Sequence, residues 1–230
     1  MTLILQSEEI KKIVHLNLDL IPIIENAFKS LSKGETVMPP ILRLDIKKYH
    51  GESDVKTAYI EGLDSFAIKV ASGFFKNPSL GLPSSNGLMI LLDSKTGVLK
   101  SVLLDKGYLT DVRTAMAGAI SAKYLSNKES TKAGILGAGI QAKFQLEALT
   151  LVRKIDSAYI WARDSNKAKK FLGEIKHLNL DLEVCSSIQD LIQKSDIVIT
   201  TTPSKLPLIK SDWLKKGLHI TAMGSDAEQK

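Results

Sequence analysis

The stretch TKAGILGAGIQAKFQLEAL, residues 131 to 149, sets a short apolar run, a glycine turn and a helix in immediate succession. That order opens a dinucleotide-binding βαβ unit. Ala133–Leu136 reads as the strand. Gly137 and Gly139 let the backbone turn tightly and approach a pyrophosphate, and Ala142 stands where the fingerprint takes Gly or Ala so that the helix can pack closely. The helix starts near Ile140, with Gln141 in its first turn, and its exposed N–H groups would receive the phosphates. A GxGxxA spacing by itself also fits a plain strand-to-helix turn. The strand before it and the helix after it favour the cofactor.

Outward from this unit, the second half alternates. Strands are expected at Ala133–Leu136, Ser157–Trp161, Leu182–Cys185, Ile197–Thr201 and Leu218–Ala222, with helices at Ile140–Leu151, Ser165–His177 and Ile188–Lys194. Such alternation implies a parallel sheet with right-handed crossovers, which makes residues 129–230 a Rossmann-like α/β domain. Only eight residues follow Ala222, too few for a sixth strand and its helix, so the expectation is either a short sheet or a domain that is incomplete at its C-terminus. At the end of the second strand, where NAD enzymes usually hold a ribose with an acid, the chain has Ala162 and Arg163. This favours NADP, and Asp164 just behind keeps NAD open.

Residues 1–128 read as a separate α+β domain. A helix is expected at Ile21–Leu31 and strands at Ile41–Ile46, Thr57–Ile60, Phe66–Ala71, Leu88–Asp93 and Ser101–Leu104, several separated by turn signals such as Asn77-Pro78 and Leu82-Pro83. A helix rich in small residues, Thr110–Leu125, is expected to link the domains.

Composition excludes several classes. The net charge of +6 is lysine spread over amphipathic segments, and only 6 % of residues are aromatic, so no nucleic-acid surface is expected. No apolar run reaches the roughly 20 residues of a membrane span. The N-terminus shows no basic leader with a cleavage site, which points away from export. The four histidines lack metal-ligand spacing and no metal is expected. Cys185, the only cysteine, reads as a small strand hydrophobe and suits a reducing cytoplasm.

The ordered set VMPPILRLD (37–45), FAIKVASGFFKN (66–77), GLPSSNGLMILLD (81–93), LLDKGYLTDVRTAMAGAISAKYL (103–125), GAGIQA (137–142), TTPS (201–204) and MGSD (223–226) resembles the ornithine cyclodeaminase/μ-crystallin family. The wording DKGYLTDVRTAMAGA looks most like its ectoine-utilisation and imine-reductase branches. Family members are longer than this chain, and their last segment returns to the first domain. The resemblance implies a homodimer built on the first domain, a nicotinamide dinucleotide and a small amino-acid or imino-acid substrate.

Several residues invite roles. Lys69 is the only charge between Phe66 and Phe75 and is expected to share a strand face with Ala67 and Ala71. It is either an edge gatekeeper or, as the resemblance implies, the substrate-binding lysine. Arg113 is expected in the first turn of a helix capped by Thr110 or Asp111, where a cation needs an anion nearby. A local pair with Asp111 would supply one, as would a substrate carboxylate, and the resemblance assigns the carboxylate. Arg43 resembles the family's second carboxylate arginine, or is a surface arginine. Asn86, in the Pro83–Gly87 loop, is either an ordinary turn residue or an extra amide for the site. Asp226 reads as a helix N-cap, while the resemblance makes it the catalytic acid and base. Thr202, Pro203, Ser204 and Met223 are matched to the far half of the cofactor, with an ST-turn as the plain alternative for the first three.

The expected function is therefore an NAD(P)-dependent reduction of a small 2-imino acid, or its reverse. A cyclodeaminase that releases ammonia with no net cofactor change is the second reading. A protein that binds NADP(H) and a small ligand without turnover is the third.

Overall fold

The computed structural model describes residues 2 to 225. It divides into two compact units: Pro22–Thr110 with the N-terminal residues up to His15, and Leu16–Ile21 with the chain from Asp111 onward. The division falls inside the expected linker helix, so most of that helix counts with the second unit.

The first unit runs β1 (Leu3–Gln6), α1 (Ser7–Ile13), α2 (Leu20–Lys33), β2 (Thr36–Val37), β3 (Leu42–Ile46), β4 (Gly51–Ile60), β5 (Ser65–Phe74), β6 (Ser85–Asp93) and β7 (Leu99–Leu104). The sheet order is β1-β7-β6-β5-β4-β2, with β3 beside β4. β1 pairs parallel to β7; the other pairings are antiparallel. Pro22 is the third residue of α2, where the missing N–H costs nothing because first-turn donors have no partner inside the helix.

Register separates two faces of this sheet. Opposed residues share a face and neighbours along a strand alternate. One face carries Ile68 and Ile90 opposite one another, with Val55, Val70 and Leu88 in the next row. The other carries Lys69 between Lys56 and Met89, and Ala71 between Asp54 and Gly87. Arg43 opposes Asp54, so it lies on the Lys69 face.

The second unit holds α3 (Tyr108–Leu125), β8 (Lys132–Leu136), α4 (Ile140–Val152), β9 (Ser157–Trp161), α5 (Ser165–Ile175), β10 (Asp181–Val184), α6 (Ile188–Lys194), β11 (Ile197–Thr200) and β12 (His219–Ala222). The sheet is wholly parallel in the order β10-β9-β8-β11-β12. The chain goes to one side of β8 for β9 and β10, then to the other for β11 and β12. This is the doubly wound pattern, with its switch point at the carboxyl ends of β8 and β11. One side of the sheet buries Ile135, Ile160 and Ile199 with Leu146, Phe171 and Ile175. The other buries Leu136 and Val198 with Leu191 and Ile192. Each such side chain contributes about 1.5–3 kcal/mol, so the switch point stands on a rigid base. Asp164 caps α5 and Ser187 caps α6 through their side-chain oxygens. No helix among the described residues is long and apolar enough to cross a membrane.

Candidate active site

The glycine turn sits at the switch point. Gly137 has φ +127°, a conformation that L side chains avoid, and a β-carbon there would collide with Thr201 Oγ1 and come within 3.1 Å of Thr201 O. Gly137 N–H donates to Trp161 O at 2.8 Å and Thr201 N–H to Leu136 O at 2.8 Å, which draws the ends of β8, β9 and β11 together. Gly139 is the N-cap of α4, with extended φ −106° and ψ −171° and no side chain to cap the helix. A β-carbon at Gly139 would meet nothing within 4 Å. Bare backbone, uncapped N–H groups and open space together fit a pyrophosphate. Ala142 is fully buried, as the close approach of the helix requires.

The other cofactor residues surround the same edge. Arg163 is exposed two residues past the end of β9, and Asp164 Oδ1 accepts from the N–H groups of Asn166 and Lys167. That carboxylate oxygen is used for capping. Thr202, Pro203 and Ser204 follow β11, with the ST-type contact from Ser204 N–H to Thr202 Oγ1 at 3.4 Å. A β-carbon at Gly224 would strike Thr202 O, so the MGS and TTPS loops lie backbone against backbone. They line a cleft of about 500 Å³ with Thr200, Ile220 and Ala222. Met223, like Ala138 and Ala162, packs against the core. Asp226 lies outside the described residues.

Two expectations need correction. Asn86 is not in a loop but the second residue of β6, opposite Ser72, which places it on the apolar face away from Lys69 and Arg43. Its Oδ1 accepts from Gly87 N–H at 2.8 Å. The turn residues Pro83 to Gly87 hid the strand because Gly87 is required by packing: a β-carbon there would come within 2.7 Å of Val70 O. Arg113 is not in a first turn capped by Thr110 or Asp111. α3 begins at Tyr108, and buried Asp105 does the capping, its Oδ2 accepting from Leu109 N–H at 2.8 Å. Positive φ at Lys106 and Gly107 makes the turn. Arg113 is thus an exposed residue of the second turn, where the helix dipole penalises a cation less.

Lys69 and Arg43 share a sheet face, as described. Arg43 donates to Asp45 at 3.0 Å and to Glu52, with Asp54 at 3.9 Å. These bonds, to Asp45 first and then Glu52, hold its pKa above the ordinary arginine value. A ligand carboxylate at Arg43 would therefore compete with two resident ones.

The model of the ornithine cyclodeaminase/mu-crystallin family matches residues 1–230. The chain belongs to that family. A Rhizobium meliloti (strain 1021) family relative is 52 % identical over 228 residues, covering 99 % of this chain and 69 % of its own. The fold matches that of Thermococcus litoralis Δ1-pyrroline-2-carboxylate reductase in complex with NADH and L-proline, with TM-score 0.90 and 33 % identity. That match covers 95 % of this chain and 68 % of the reductase. An archaeal alanine dehydrogenase dimer with bound NAD superposes with TM-score 0.87 and 33 % identity over 95 % of this chain and 66 % of its own. Arg43, Lys69 and Arg113, the positions that the sequence resemblance likens to substrate-binding residues, fall on β3, β5 and α3. Glu183, Cys185 and Asp190 bring potential metal-ligand atoms within 4.8 Å of one another. Lys194 already bonds both carboxylates, and burial, then the charge of Asp190, pushes the thiol up to about 12.

Sequence reasoning missed Asp105, whose signal was the Asp-Lys-Gly turn before a helix. It also missed the side-chain role of Gln141, which donates to Asp111 Oδ1 at 2.7 Å.

Proposed function

We propose that the protein is an NAD(P)-dependent oxidoreductase that reduces a small 2-imino acid to the amino acid, or runs the reverse. One observation carries this reading: the open backbone cradle at Gly139, in a chain whose 33 %-identical structural relative holds NADH together with L-proline. A dinucleotide held there by its pyrophosphate would supply or accept, through its nicotinamide, the hydride at the substrate α-carbon.

The chain's own residues bind, orient and move the proton. Arg113 takes the substrate carboxylate in its planar fork; Lys69 is assigned to the same group. Arg43 is assigned to that carboxylate too, which would have to displace Asp45 or Glu52 from its guanidinium. Asp226 exchanges the proton at the substrate nitrogen. The cofactor is held by the backbone of Gly137, Gly139, Ile140, Gln141 and Ala142, and by Thr202, Pro203, Ser204 and Met223. NADP is favoured over NAD because Arg163 is exposed at the ribose end of β9 while Asp164 is engaged in capping. Residues 1–128 form the substrate-binding and dimerisation domain and 129–230 the cofactor domain in this reading. The half-exposed apolar face around Ile68 and Ile90 suits a second copy of the chain. The lone buried cysteine fits a reducing cytoplasm.

A panel of cyclic imines, and of keto acids with ammonia or methylamine, read by NADPH absorbance, tests the class. Asp226→Asn should lower kcat by on the order of 10²–10⁴ with cofactor affinity kept, whereas Lys69→Ala should mainly raise KM. Wild-type turnover in both variants would remove the enzymatic reading and leave a binding protein.

A further inference from the structure

Two amides, the half-buried Gln141 and the buried Gln145, cross between α3 and α4 within the second unit. Gln141 Nε2 donates to Asp111 Oδ1 at 2.7 Å and lies 3.4 Å from Asp111 O. Gln145 Nε2 donates to Thr114 O at 3.0 Å and reaches Gln141 Oε1 at 3.3 Å. Gln145 is fully buried, and its Oε1 has no hydrogen-bond partner among the described residues. That oxygen presses on α3 at Gly118, where any β-carbon would collide with it. An unsatisfied buried acceptor costs stability that an apolar side chain of the same size would not, so the amides are a poor way to fill this space. What they provide is direction. They fix the rotation and height of α3 against α4 as a methyl contact cannot.

The position of this tie is informative. Asp111 stands two residues before Arg113, and Gln141 is the second residue of α4, in the turn that offers its N–H groups at the switch point. The first bond of that turn is long, Lys143 N–H reaching Gly139 O at 3.3 Å. We propose that Gln141, braced by Gln145, is a positioning residue that joins the phosphate-binding turn of α4 to the Arg113 turn of α3, so that a pyrophosphate ordering the first raises the affinity of the second for a carboxylate. This rests on the reading of Arg113 as a carboxylate ligand. The coupling is reciprocal, as any equilibrium linkage must be.

The test uses ADP, which carries the pyrophosphate but no nicotinamide to touch a substrate, and L-proline as the carboxylate probe. In calorimetric titrations of the full chain, ADP should tighten L-proline binding about fivefold, the low end of measured couplings. Gln141→Glu sets a carboxylate against Asp111 and should abolish the effect, read as the ratio of L-proline affinities without ADP and at saturating ADP, so that any loss of ADP affinity from the added charge is measured separately. Adding Asp111→Asn restores a bond with donor and acceptor exchanged, and the double variant should regain the coupling. A tie that served folding alone would change melting temperature without changing the ADP effect. If Gln141→Glu fails to fold, Gln141→Met, which keeps the length and removes the donor, takes its place. Equal ADP enhancement in wild type and the Gln141 variant, or none in wild type, overturns the proposal. Failure of L-proline to bind even with NADH present overturns the carboxylate site itself, and the proposal with it.

Discussion

Gly139→Val separates folding from cofactor binding, because the structure assigns that glycine no internal packing role. Its φ and ψ are extended, which any residue adopts, and a β-carbon there meets nothing within 4 Å. Losing a glycine's unfolded-state freedom stabilises by about 0.4–1 kcal/mol. Placing an apolar residue at an N-cap costs about as much relative to glycine, on the order of 1 kcal/mol. The two nearly cancel, so the melting temperature should move by no more than about 2–4 °C. The open space, however, is where a pyrophosphate would rest. Three carbons placed there should weaken NADH and NADPH alike by about tenfold or more, roughly 1.4 kcal/mol at least. Thermal melting followed by calorimetric titration measures both quantities on one sample. A variant that melts like wild type and binds both dinucleotides unchanged would refute the placement of the phosphates; a variant that unfolds would refute the claim that the space is empty of protein.

Gly137→Ala is the contrasting case: with φ +127° and Thr201 against the position of the new β-carbon, it should lose about 1–3 kcal/mol of stability from backbone strain alone, seen in denaturant melts even without cofactor. Arg163→Ser should lose about 1.5–3 kcal/mol toward NADPH, the worth of a hydrogen bond to a charged group, and almost nothing toward NADH; equal losses would sink the assignment. His219 is buried against Thr221 Oγ1 at 3.0 Å, and burial, then the charge of Arg153, lowers its pKa from 6.5. The unfolded chain therefore takes up that proton first as pH falls through about 6.5. Stability from this group is present above that pH and lost below it. Chemical melts from pH 8 to 5 should show the loss in wild type and a smaller one in His219→Gln; identical slopes would contradict the buried neutral imidazole.

The second unit was almost wholly legible in the sequence, since parallel strands buried on both sides are continuous apolar runs, as in Ala133–Leu136 and Ile197–Thr200. The first unit was less so. The first half of β4, Gly51-Glu52-Ser53-Asp54-Val55, looks like a loop because its charges serve one face, where Glu52 and Asp54 meet Arg43. β1 was hidden because four residues pass directly into a helix, and its partner β7 lies almost a hundred positions away. In the site, Gly137, Gly139 and Ala142 carry their geometry in their identity. The start of the helix that carries Arg113 was misread, because Asp105 begins it earlier than Thr110 suggested. The Asp111–Gln141 bond had no signature, as an amide on a helix reads the same whether it faces water or a neighbour.

The strict alternation of β5 and β6 means that one strand encodes two properties in interleaved letters. A library confined to Ala67, Ala71, Met89 and Leu91 redraws the surroundings of Lys69 and leaves the apolar face intact. One confined to Ile68, Val70, Leu88 and Ile90 alters how the sheet meets another surface and leaves Lys69 in place. Substitution can tune the two independently. Insertion cannot: a single added residue in β5 would carry the lysine to the greasy side and a hydrophobe into its seat, exchanging both properties in one step.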